Sequence, residues 1–136
     1  MEFNLADLFE SLADTVGERT AVVCGDQRLT YAELDARANR LAHHLQAGGV
    51  KAGEHVGMYL YNGTEYVEGM LACLKMRAVP INVNYRYVED ELRYLFSDAD
   101  LVGVLHQREF APRIAAIRGA NSRWCSAATK SASANR

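Results

Sequence analysis

Three features of the chain predict an α/β fold, a mostly parallel sheet with crossover helices. Short apolar runs at 55–61, 79–83 and 101–105 have the length and β-branched content of strands. Between them, stretches at 64–76 and 88–96 carry apolar residues at helical spacing. Each connection is long enough for a right-handed crossover, which a parallel pair requires.

Taken in order, the elements each have a local cause. Asn4 is a good N-cap, and Leu5, Leu8, Phe9, Leu12 and Val16 predict one amphipathic opening helix. "TAVVCGDQRLTY" reads as a hairpin turning at Gly25-Asp26, a dipeptide that tolerates positive φ. Thr30 and Glu33 have capping-box spacing ahead of the stripe Leu34, Ala38, Leu41 and Leu45, and Gly48 closes that helix. Thr64 is expected to cap the helix at 64–76, whose Val67, Met70, Leu71 and Leu74 face one way. In the next helix Val88, Leu92, Leu95 and Phe96 form the stripe, with Glu89, Asp90 and Glu91 at the positive end of its dipole. A last helix runs from about Glu109 to Arg118. The segment 119–136 is rich in Ala, Ser and Asn, with Trp124 its sole large apolar side chain, and is expected to be a disordered tail.

Composition removes several classes of function. The 136 residues, 49% hydrophobic and 24% charged, suit one modest soluble domain. All 17 acidic residues lie between Glu2 and Glu109, so the body lacks the clustered basic face that nucleic acid needs. No apolar run approaches the roughly 20 residues of a transmembrane segment, and the acidic N-terminus is unlike a signal peptide, so a cytoplasmic location is expected. Cys24, Cys73 and Cys125 are odd in number and widely spaced, which predicts reduced, mostly buried thiols and no zinc site.

The motifs that could carry chemistry are few. Gly48 and Gly53 in "GGVKAGEH" have phosphate-loop spacing, but Glu54 and His55 follow where such a loop places Lys and Ser/Thr, so the stretch reads as a helix-ending turn. Adjacent His43 and His44 diverge by about 100° on a helix and cannot chelate together; one is expected to pack and the other to face solvent. His106 ends a strand on the edge where open α/β sheets bind ligands, and Asn62, Thr64, Asn84, Tyr85 and Arg86 share that edge. Turn and cap roles account strongly for the polar residues of that edge, and a structural or solvated place is the favored reading of His106.

From Leu29 to Phe96 the sequence resembles the N-terminal part of AMP-forming adenylating enzymes, and in detail the acyl-CoA synthetases, or fatty-acid–CoA ligases. Thr30-Tyr31-Ala32-Glu33-Leu34 matches that family's "TYxEL" element, and Leu74-Lys75 through Pro80-Ile81-Asn82 matches its "LKAGAVxxPINP" run. Met76-Arg77 stands where Ala-Gly is common, and Asn84 where Pro is common. The resemblance covers about Leu5 to Arg118. It implies the N-terminal portion of the adenylate-forming fold, with residues 1–118 a partial AMP-binding domain, and a family reaction that joins fatty or other carboxylic acids to CoA using ATP and Mg. The family's phosphate loop, adenine site, metal-binding glutamate and catalytic lysine lie downstream of the matched stretch and have no counterpart in the chain. No catalytic, cofactor-binding or metal-binding residue is therefore assigned, and Leu74 to Phe96 reads as scaffold. The expectation is a truncated fragment, inactive alone and binding no cofactor, with self-association through an exposed sheet edge. A non-catalytic interaction module docking on a full-length synthetase is the alternative, and a small enzyme built around His106 is a third.

Overall fold

Strand β3 (His55–Tyr59) is the center of the molecule: it pairs in parallel with β4 (Val79–Asn82) on one side and with β5 (Leu101–His106) on the other. A computed structural model describes residues 3–119 and 125–128. The sheet order is β4-β3-β5-β6, where β6 (Cys125–Ala128) runs parallel to β5, and a separate antiparallel hairpin joins β1 (Thr20–Cys24) to β2 (Gln27–Thr30). The α/β class and the parallel ladder are as the sequence predicts.

Helices cover both faces of the sheet, so its central strands are apolar on both sides. On one face α2 (Tyr31–Ala47) and α3 (Thr64–Lys75) pack through Ala42, Leu45, Ala72, Cys73 and Met76 onto Val56, Met58 and Leu105. On the other, α4 (Glu89–Asp98) and α5 (Ala111–Ile117) pack through Leu92, Phe96 and Ile114 onto Tyr59, Val83 and Val104. Close approach depends on Gly69: a Cβ there would sit 2.7 Å from Met58 Cε and 2.8 Å from Leu105 Cδ1. The capping box of α2 forms as spaced, Glu33 N–H donating to Thr30 Oγ1 at 3.1 Å and Thr30 N–H to Glu33 Oε2 at 2.8 Å.

Helix α1 (Leu5–Val16) departs from the sequence reading. Leu5, Leu8 and Leu12 are 64%, 51% and 41% exposed, while Ala6 is buried and Phe9, Ala13 and Val16 are half-buried. Ion pairs help to set this orientation. Lys75, its side chain only 6% exposed, places Nζ 2.6 Å from Glu10 Oε1 on α1 and 2.7 Å from Asp35 Oδ1 on α2, and Arg77 Nη2 lies 3.0 Å from Asp7 Oδ1. Burial would lower the Lys75 pKa, but its hydrogen bonds to Asp35 and Glu10 outweigh burial and raise it. Asp7 and Glu10, themselves about half-exposed, are tied to the body, and Ala6, Phe9, Ala13 and Val16 face it while the leucines face out.

Two further expectations are corrected. Thr64 does not cap α3; Gly63 is the N-cap, and the Thr64 hydroxyl, buried, donates to Gln27 Oε1 at 2.7 Å. Met70 is 37% exposed, and α3 buries Gly69, Leu71, Ala72 and Cys73 instead. Within the segment 119–136, Cys125–Ala128 extends the sheet from Gly103↔Cys125 to His106↔Ala128. Main-chain ladder bonds do not require large side chains, and an open edge of β5 supplies them. The expectation for Trp124 and the rest of that segment lies outside the described residues.

Helix α3 ends in a Schellman pattern, with Ala78 N–H donating to Cys73 O at 2.9 Å and Arg77 N–H to Leu74 O at 3.1 Å. That pattern needs a left-handed residue after the cap, and Arg77 takes it with φ of 63°. This is the position where the resembled run has glycine, so the departure costs backbone strain, and the Asp7 ion pair offsets part of it. Arg77→Gly should therefore be more stable than Arg77→Ala by about 1 kcal/mol, reversing the usual order of these residues in helical segments. Urea denaturation of both variants reads the difference; an alanine variant as stable as the glycine one would refute the strain.

Candidate functional site

A polar cavity of about 270 Å³ opens beyond the C-terminal ends of β3 and β4, lined by Leu60, Asn62, Asn82, Val83, Asn84, Tyr85 and Arg86. Its polar walls come from turn chemistry. Asn84 Oδ1 accepts from Arg86 N–H at 2.9 Å and Asn84 O from Tyr87 N–H at 3.0 Å, an Asx-type turn that starts the loop into α4. Tyr66 donates its hydroxyl to Asn82 Oδ1 at 3.1 Å, tying α3 to the end of β4. The Arg86 guanidinium stands 5.8 Å from the Tyr85 ring center, within cation–π range.

In an open α/β sheet the usual ligand crevice lies where successive crossovers leave in opposite directions. Here β3 connects to β4 on one side and β5 to β6 on the other, so that point falls between the ends of β3 and β5. A chain of aromatic contacts starts from Tyr59 at the end of β3. Tyr59 stacks on Phe110 with centers 4.5 Å apart, Phe110 meets Tyr61 edge-on at 5.1 Å, and Tyr61 meets Tyr85 at 5.0 Å. Desolvation first, and then the negative charge of Glu109, push the Tyr61 phenol above its usual pKa. The polar cavity lies on the β4 side of β3.

Of the edge residues singled out in the sequence, Asn62, Asn84, Tyr85 and Arg86 share this cavity. Thr64 and His106 do not line it. His106 is 4% exposed and its Nδ1–H donates to Gln107 O at 2.8 Å, so it is a satisfied core histidine. His43 and His44 are both exposed, correcting the expectation that one packs. The Gly48–His55 segment lies at the N-terminal end of β3, opposite the cavity, and its turn is completed by Gly49 at φ of 98°. Sequence reasoning missed Tyr59, Phe110 and Arg113, which wall the adjoining crevice. Their pairing spans 54 residues between Tyr59 and Arg113, and no local pattern announces it.

Three amides and a guanidinium suit a polar or anionic group. The cavity lining offers no carboxylate and no nucleophile with a neighboring base, and among the described residues no three His, Cys, Asp or Glu cluster to hold a metal.

The chain's relatives share both sequence and layer architecture. The profile of the AMP-binding enzyme family matches residues 9–134. A ligase of Mycobacterium marinum named for medium- and long-chain fatty acids and 3-oxocholest-4-en-26-oate is 51% identical over 114 residues, 84% of this chain and 21% of that protein. The 3-oxocholest-4-en-26-oate–CoA ligase of Rhodococcus rhodochrous is 48% identical over 117 residues, 86% of this chain and 21% of that one. Among solved structures, the N-terminal domain of FACL13 from Mycobacterium tuberculosis superposes with a TM-score of 0.84 at 28% identity, covering 93% of this chain and 34% of that chain. The fold is the N-terminal layer of adenylate-forming enzymes. The chain belongs to the AMP-binding enzyme family, and it spans about a fifth of the length of the curated relatives it matches.

The two described thiols differ sharply. Cys24 is exposed, against the expectation of mostly buried thiols, whereas burial pushes the Cys73 thiol up to about 12. Iodoacetamide at pH 8 should label Cys24 in the folded chain and Cys73 only after denaturation, read by peptide mass mapping. Equal native labeling of both would contradict the packing of α3 on the sheet.

Proposed function

We propose that the chain is the N-terminal scaffold part of an ATP-dependent acyl-CoA ligase and is inactive alone. The whole enzyme would join a fatty or other carboxylic acid to CoA, releasing AMP and pyrophosphate, with ATP, Mg and CoA handled by parts the chain does not contain. The observation that carries this reading is identity near one half to CoA ligases over most of this chain but only a fifth of theirs. The medium- and long-chain fatty acids and the steroid acid in the relatives' names mark the acid class to try first. Residues 1–118 are taken as the ligase-like unit and 119–136 as a divergent extension. Among the described residues no helix is long and apolar enough to cross a membrane, and a cytoplasmic site of action is part of the proposal.

The chemistry supports inactivity of the isolated chain. Phosphate contacts of the charge-assisted kind contribute about 1.5 to 3 kcal/mol each, so a cavity with Arg86 as its single cation falls short of useful ATP affinity by orders of magnitude. Calorimetric titration with ATP and Mg should give no measurable binding. Fatty-acid-dependent exchange of pyrophosphate into ATP should be absent as well. Exchange that survives controls for host synthetase and disappears in Arg86→Ala would overturn the scaffold reading.

Self-association follows from the same reading. Strand β4 is an edge of the sheet, and Phe3, Leu5, Leu8 and Leu12 expose apolar surface. Sedimentation velocity should show oligomers growing with concentration. A clean monomer across the accessible range would favor an autonomous domain.

A further inference from the structure

We propose that Arg113 is a positioning residue: from α5 it fixes the loop 84–88 and thereby places Asn84 and Arg86 in the wall of the cavity beyond β3 and β4. The inference concerns the cavity itself and stands whether or not the ligase reading does. One nitrogen of the guanidinium, Nη1, reaches three oxygens: Tyr59 Oη at 2.9 Å, Tyr85 O at 3.3 Å and Tyr87 O at 3.4 Å. Tyr59, fully buried, donates its own hydroxyl to Tyr87 O at 2.7 Å, so the phenol bridges the cation and the loop. The guanidinium carbon lies 5.1 Å from the Phe110 ring center, and Phe110 in turn stacks on Tyr59.

The acceptors are what distinguish this arrangement from an ordinary surface arginine. All three are neutral oxygens, two of them main-chain carbonyls of the loop, and a carbonyl bond constrains backbone position where a carboxylate partner would constrain only a side chain. Loop carbonyls that leave a strand have no ladder partner and need one. By gripping residues 85 and 87 through their backbones, Arg113 holds Asn84 and Arg86, which alternate with them, in the wall of the cavity. The fixed segment is bracketed by the Asn84 turn at one end and by the Val88 N–H to Glu91 Oε2 bond of 3.1 Å at the other.

The test is amide hydrogen exchange by mass spectrometry on the full chain, with Arg113→Met, Arg113→Lys and Tyr59→Phe variants. Methionine keeps the length and apolar contact of the side chain; phenylalanine keeps the stack on Phe110 and removes only the bridge. Exchange over 84–88 should rise about tenfold in Arg113→Met, partly recover in Arg113→Lys, and rise by a smaller factor in Tyr59→Phe, while β3 and α3 keep wild-type rates. A merely structural role would raise exchange across β3 and α3 in the same proportion as over 84–88. Either that uniform rise, or unchanged exchange over 84–88 in both Arg113→Met and Tyr59→Phe, overturns the proposal. If Arg113→Met fails to fold, Tyr59→Phe alone decides between the two outcomes.

Discussion

The double pairing of β3 is the constraint from which the other elements take their positions. Its backbone is bonded along both edges, to β4 and to β5, and its Val56, Met58 and Tyr59 side chains are buried in the two opposite faces. A strand in that position has no solvent-facing side, so helices must cover both faces, and parallel neighbors require long crossovers that supply those helices. Small residues let the layers meet. A Cβ at Gly57 would lie 2.9 Å from Leu101 Cδ1, as one at Gly69 would strike Met58. Substituting either would push a helix or a neighboring strand away from the sheet, at a cost typical of overpacking, about 1 to 3 kcal/mol.

The same constraint shapes the candidate site. With β3 central, the polar cavity lies beyond its C-terminal end on the side of the edge strand β4, where the chain turns on Asn84 into α4, and the rings of Tyr59, Phe110, Tyr61 and Tyr85 form a contact chain beside it. That opening is bounded on its outer side by a loop and not by another strand. A cavity walled in this way owes its shape to hydrogen bonds made to the loop, not to the sheet ladder.

Features set by neighbors in sequence were legible before the structure: the capping box of Thr30 and Glu33, the hairpin turn at Gly25-Asp26, the alternation of apolar strands with amphipathic helices. Features set across the fold were not. The α1 stripe was misread because five apolar residues at helical spacing do not say which of them meets the body: Ala6, Phe9, Ala13 and Val16 do, and Glu10 and Asp7 pair with Lys75 and Arg77, 65 and 70 residues away. Thr64 had a cap residue's chemistry but stands one residue inside the helix, after Gly63, and its hydroxyl donates to Gln27, 37 residues away. Strand β6 was invisible because pairing through the backbone leaves no mark in side-chain composition. The loop residues Asn84 and Arg86 were noticed as polar, while the tyrosine and arginine that hold their loop looked like core and surface.

Residues 1–118, proposed above as the ligase-like unit, should serve as a scaffold for the rest of a CoA ligase. The most direct test replaces the matching N-terminal part of the Mycobacterium marinum ligase with residues 1–118 of this chain and measures fatty-acid-dependent exchange of pyrophosphate into ATP. The account predicts that the chimera exchanges at a rate within about tenfold of that ligase, since 51% identity over 84% of the chain preserves the packed layers. A chimera that folds with a single cooperative thermal transition yet shows no acid-dependent exchange would contradict it.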